Sequence, residues 1–178
     1  MSKRPILPLE IGGIRLRLLE QSDLSQTFAW RNNDHIRRWF FSSERLTPEQ
    51  HASWFTAYQQ RDDDFVFIIE QVDSGLRPIG QAAIYNINWL AGTAEFGRLM
   101  IGEAEAAGRG LARCATEALV AFSFERLGLR EIFLEVIPSN VRAITVYEAC
   151  GFEVAARAEK SVRMVRFATD WSAKVSPP

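Results

Sequence analysis

Apolar and polar positions change rhythm several times along the chain, and each change predicts an element. Ile14-Arg15-Leu16-Arg17-Leu18 alternates with period two, the pattern of a half-buried strand. Ser22 offers an N-cap, and Leu24, Thr27, Phe28 and Arg31 follow at helical spacing to about Asn33. Thr47-Pro48-Glu49-Gln50 joins a capping box to a proline at the first helical position and predicts a helix to about Gln60. Trp54, Phe55 and Tyr58 give that helix an aromatic face. Phe65 to Val72 is β-branched and aromatic, Asp73-Ser74-Gly75 is turn chemistry, and Ile79 to Trp89 completes a hairpin. Gly92-Thr93 turns the chain again, and Glu95 to Ile101 returns as a third antiparallel strand. Leu111, Ala115, Ala118, Leu119 and Phe122 then repeat at helical spacing until Gly128, a C-terminal stop. Ile132 to Ile137 is an almost continuous apolar run, as expected of an interior parallel strand, and Pro138 ends it. Asn140 caps a further helix that Gly151 closes, and Phe152 to Ala158 with Val162 to Ala168 reads as a final hairpin. Residues after Trp171 read as a frayed tail.

The resulting order is β-α-α-β-β-β-α-β-α-β-β, an α/β domain with one right-handed strand-helix-strand crossover. A chain of 178 residues that is 47% hydrophobic suits one domain, 1–178. Net charge is −1 with no long basic run, which argues against a nucleic-acid surface. No apolar run approaches ~18 residues, so no membrane span is expected and a cytoplasmic protein is. Cys114 and Cys150 each fall inside a predicted helix and read as buried free thiols, neither a disulfide nor a nucleophile. Two histidines and two widely spaced cysteines make no metal-site spacing, and Arg61-Asp62-Asp63-Asp64 reads as a solvated connection.

Candidate chemistry centres on Gly108 and Gly110, which flank Arg109 where the Phe96 to Ile101 run gives way to a helix. Glycines there permit a tight turn and leave main-chain N–H groups unshielded, and the helix adds the positive end of its dipole. An anion, phosphate or pyrophosphate, is the expected guest. A second stretch follows downstream, Ser139-Asn140-Val141-Arg142-Ala143-Ile144-Thr145-Val146-Tyr147-Glu148-Ala149-Cys150-Gly151-Phe152. Together the two resemble the acyl-CoA-binding core of the GNAT superfamily of N-acetyltransferases: a Gln/Arg-x-x-Gly-x-Gly/Ala loop, then Asn-x-x-Ala-x-x-x-Tyr-x-x-x-Gly-Phe. Glu105 stands where that superfamily usually has Gln or Arg. The resemblance spans roughly residues 12–170.

It implies a central mixed, mostly antiparallel sheet flanked by about four helices, with one splayed parallel strand pair. It also implies acetyl-CoA as co-substrate and no metal. Main chain of Gly108, Arg109, Gly110, Leu111 and Ala112 would hold the phosphates, and Leu99, Met100 and Ile101 would pair with the pantetheine arm. Asn140 would contact that arm. Tyr147, seven positions on and so on nearly the same helix face, would protonate the departing thiolate. Glu95 is the candidate base, with solvation or pairing to Arg98 as the alternative. Arg109, Arg113 and Arg142 are candidates for the 3′-phosphate or are plain surface charges.

Acceptor choice should reside in the first two helices and their connection. The Trp30-Arg31-Asn32 and Ile36-Arg37-Arg38-Trp39-Phe40-Phe41 segments resemble the nucleotide-sugar branch of the superfamily, that of pseudaminic acid biosynthesis. That likeness implies a UDP-linked amino sugar met by Arg31, Arg37, Trp39, Phe40 and Phe41. Trp30 and Phe55 read as core. The ribosomal-protein N-terminal acetyltransferase branch, aminoglycoside-type acetylation and a non-catalytic CoA-binding module are the alternatives, and a homodimer is compatible with all of them. An acidic groove would favour the peptide and a basic pocket the nucleotide.

Overall fold

One sheet of eight strands organises residues 3–169, the part of the chain that the computed structural model describes. The tail expected after Trp171 lies outside the described residues. The strands are β1 (Leu9–Ile11), β2 (Ile14–Leu18), β3 (Phe65–Gln71), β4 (Arg77–Asn88), β5 (Thr93–Ile101), β6 (Glu131–Val136), β7 (Glu153–Arg157) and β8 (Val162–Phe167). They lie in the order β1-β2-β3-β4-β5-β6-β8-β7, antiparallel throughout except at β5–β6. The α-helices are α1 (Leu24–Asn32), α2 (Asp34–Arg37), α3 (Pro48–Gln59), α4 (Leu111–Glu125) and α5 (Val141–Ala149). There are thus five among the described residues where about four were expected, because the four-residue α2 forms inside the arginine and aromatic segment.

The alternation in the strands sorts the core into two layers. Phe65, Phe67 and Ile69 of β3 join the cluster that includes Ala115, Leu119 and Phe122 of α4 and Tyr147 of α5. Their neighbours Val66 and Ile68 join Phe55 and Tyr58 of α3 on the other side. All seven residues of β3 are buried, and each fully buried Phe or Ile contributes about 1.5–3 kcal/mol to folding. Trp30 and Phe55 belong to the interior as expected, with Trp30 Nε1 donating to Glu103 Oε1 at 2.9 Å. The capping box at α3 is formed in both directions: Gln50 N–H donates to the Thr47 hydroxyl and Thr47 N–H to Gln50 Oε1.

Two departures bear on the site. The parallel β5–β6 ladder has three pairs, the last being Glu95 with Phe133, although β5 runs on to Ile101 and β6 to Val136. Beyond that point the two strands go separate ways, and β6 keeps only its antiparallel partner β8. The second departure concerns the Arg61 to Asp64 connection, which is not simply solvated. Asp64 is 1% exposed and accepts from Arg98 Nη1 at 2.8 and 3.1 Å. A buried carboxylate needs such a partner, and this one comes from a distant strand. Among the described residues no helix is long and apolar enough to cross a membrane, and no cluster of metal-ligating side chains occurs.

Candidate active site

Where β6 leaves β5, main-chain groups of residues 96–101 on that side of β5 have no strand partner. Such an edge pairs readily with an extended amide-bearing chain. β5 is also irregular here: an extra residue opposite β4 puts Arg98 in a left-handed conformation, φ 51°. Leu99, Met100 and Ile101 line a cavity of about 430 Å³ that reaches Gly108, Gly110, Leu111, Ala112 and Asn140.

The far end of that cavity is built to receive an anion. Gly108 and Gly110 both sit at φ 78°, a conformation that costs any other L-residue roughly 1–2 kcal/mol. The space beside Gly110 is open. α4, the longest helix described, starts here with no side-chain cap, whereas α3 is capped by Thr47 and α5 by Asn140. Its first N–H groups are therefore uncommitted donors at the positive end of the dipole. Arg113 and Arg142 stand in the same wall, while Arg109 turns its side chain out toward Asp73, 3.8 Å away. Such donors suit a diphosphate, and the Arg109 side chain is turned away from them. Glu105, at the position that departs from the usual pattern, pairs with Arg77 at 2.8 Å.

Asn140 lines the cavity and spends its Oδ1 on the α5 cap, accepting from Ala143 N–H at 3.3 Å. Seven residues on, Tyr147 lies deeper, its ring edge-on to Phe96 at 5.9 Å and to Phe152 at 6.1 Å. Phe96 is the first residue past the last β5–β6 pair, so the phenol sits at the fork of the two strands. Tyr147 is not part of the cavity wall itself, which takes Ala143 and Val146 from α5. Tyr147 as a whole is 8% exposed. Burial raises its pKa above the ordinary phenol value, so the proton stays on it at neutral pH.

Glu95 lines neither cavity. It accepts from the Tyr85 hydroxyl at 2.6 Å and from Asn86 Nδ2 at 3.0 Å, and Arg98, its expected alternative partner, is held by Asp64. Burial, with help from Glu95, raises the Tyr85 pKa.

A second cavity of about 340 Å³ opens on the α1–α3 side of the sheet, walled by Arg31, Phe40, His51, Trp54, Gln81 and Arg98 among others. Met100 lines both cavities. The expected acceptor residues divide. Arg31 and Phe40 face this cavity, Trp39 joins His35 and Ile36 on the wall of the first, and Phe41 is exposed and lines neither. Arg37 is likewise outside both, its Nε on Asp34 at 2.7 Å and its Nη1 on the Ser43 carbonyl at 2.5 Å. Sequence reasoning missed His51, Gln81 and Arg98 as wall residues. His51 had a signal: it stands one turn before Trp54 on the aromatic face of α3. Its ring stacks on Trp54 at 5.4 Å, its Nε2 is 3.1 Å from the Thr27 hydroxyl, and burial lowers its pKa. Both cysteines are free thiols outside the two cavities, and burial pushes Cys150 up to about 11.

A cleft that offers main-chain donors to a diphosphate and an open strand edge to its arm defines an acyl-CoA-dependent transferase. The chain belongs to the acetyltransferase (GNAT) domain family, whose pattern it matches over residues 14–153. It is an N-acetyltransferase, and acetyl-CoA is its co-substrate. Among its relatives is the spermidine N(1)-acetyltransferase of Vibrio cholerae, 28% identical over 139 residues and covering 78% of each chain. The aminoglycoside N(6′)-acetyltransferase type 1 of Klebsiella pneumoniae is 26% identical over 163 residues, 86% of this chain and 80% of that one. A crystal structure of the Vibrio cholerae spermidine N-acetyltransferase with CoA and spermine superposes with a TM-score of 0.81 at 25% identity, over 90% of this chain and 98% of that one.

Proposed function

We propose that this enzyme transfers an acetyl group directly from acetyl-CoA to a primary amine of a small molecule. The carrying observation is the meeting of two cavities at Met100, one with the phosphate-binding loop and the open edge of β5, the other with the acceptor-side helices. Acetyl-CoA supplies an acyl group activated as a thioester; the protein has to align it, expose an unprotonated amine to it and protonate the leaving sulfur. The free edge at 99–101 and the loop at 108–112 do the aligning. Tyr147, protonated and at the strand fork, is the donor to sulfur. With both cysteines outside the cavities and raised in pKa, direct transfer is favoured over an acetyl-enzyme.

For the amine's proton, two groups compete. Glu95 was expected from the sequence, but both its oxygens are engaged and it lines neither cavity. His51 faces the acceptor cavity with a ring that burial keeps neutral, which favours it as the base. Relatives carry the names of spermidine and aminoglycoside acetyltransferases, which supports a small-molecule amine over a protein N-terminus. The UDP-linked amino sugar expected from the arginine and aromatic segment has no counterpart among them, and Arg37, Trp39 and Phe41 do not converge on one cavity. Release of CoA thiol across amino sugars, polyamines, aminoglycosides and peptides tests the reading; turnover confined to peptides would overturn it.

A further inference from the structure

The acceptor cavity holds one positive charge that the protein leaves unanswered. Arg31 lies against the Phe40 ring, 4.2 Å from guanidinium carbon to centroid, and its Nη2 donates to the Ser42 carbonyl. Nη1 is buried and has no hydrogen-bond partner. The charges acting on this guanidinium include no carboxylate; Arg37, of like sign, is the one that counts, and with desolvation it lowers the Arg31 pKa. The other cation in the wall, Arg98, is matched by Asp64, and His51 is neutral. No Asp or Glu lines this cavity among the described residues. A half-buried charge without a counter-ion is partly desolvated at a cost, and the natural compensation is a ligand of opposite sign. A polycation brought here would meet guanidinium with no carboxylate to receive its second ammonium.

The geometry points to an acceptor that carries an oxyanion, a carboxylate or a phosphate, beside its primary amine, with the guanidinium that Arg31 presents in the cavity wall as the group that recognises it. Bidentate or end-on pairing with guanidinium suits either oxyanion. The amine end would then extend toward Met100, where the two cavities meet. This class rests on the acetyltransferase reading above and differs from the polyamines for which relatives are named.

Two measurements on the full chain test it. With the protein saturated in CoA, so that the cofactor's own phosphate sites are filled, inorganic phosphate and, separately, acetate are titrated while thermal unfolding is followed. A saturable rise in Tm with at least one anion, lost in Arg31→Gln, is expected; no rise, or an equal rise in the variant, overturns the proposal. Thiol release is then compared within matched pairs, 4-aminobutyrate against putrescine and glucosamine 6-phosphate against glucosamine. The anionic member of one pair should lead its partner at least tenfold in kcat/KM, and Arg31→Gln should abolish that lead chiefly through KM. The pair that responds tells carboxylate from phosphate. Cationic and neutral partners that match or exceed the anionic member in both pairs overturn the proposal. Failure of the protein to bind CoA at all would show in the CoA titration itself and would remove the underlying reading instead.

Discussion

Tyr147 meets Phe96 edge-on, ring centroids 5.9 Å apart, at the first residue past the last β5–β6 pair. The packing fixes the ring without using the hydroxyl. Tyr147→Phe should therefore keep its stability and its CoA affinity while kcat falls about a hundredfold, the scale of one proton-transfer group. Steady-state rates with calorimetric CoA titration check this, and undiminished kcat would assign the proton to another donor.

Gly110 is left-handed at the start of an uncapped helix. A methyl group meets no atom there, so Gly110→Ala acts through backbone strain alone, roughly 1–2 kcal/mol. That cost is divided between folding and a loop that relaxes and loses aim. The expected result is a Tm lowered by a few degrees together with CoA binding about tenfold weaker, read by thermal unfolding and calorimetry.

Removing the Asp64 charge leaves Arg98 without its counter-ion between core and acceptor cavity. Asp64→Asn keeps the shape and should cost about 3 kcal/mol in urea unfolding, because a broken buried pair leaves one ion unmatched. A loss of under about 1 kcal/mol would mean that the pair behaves like a surface contact.

The His51 ring is held below its ordinary value of 6.5 by burial. An unfolded chain takes up that proton near ~6.5 while the folded ring refuses it, so stability is complete above ~6.5, falls as pH drops toward the folded value, and then levels off. Carboxylates held low by arginines, such as Asp62 and Asp63, contribute only in stronger acid. Tm measured from pH 8 to 5 should show the His51 slope, and His51→Gln should flatten it. If His51 is also the base, kcat/KM loses its acid limb in the same variant and retains it in Glu95→Gln.

Most local features were legible because their causes are local. Thr47, Pro48 and Gln50 specify their helix start within one turn, and the Gly108 to Gly110 loop and the stretch that begins at Asn140 are short windows that supply the wall of the first cavity. What escaped depends on contacts across the chain. Asp64 reads as one of a solvated acidic run until Arg98, 34 residues away, takes it inside. Trp39 and Phe40 are neighbours, and the turn that follows α2 sends one to each cavity, a split that no composition reveals. β1 and α2, at three and four residues, are shorter than any window over which periodicity can be counted.

Met100 belongs to two rooms at once, and apart from it their walls are built from different residues. Selectivity for the acceptor can then drift under mutation of α1 and α3 without disturbing the grip on the cofactor, which gives one scaffold room to take up new amines.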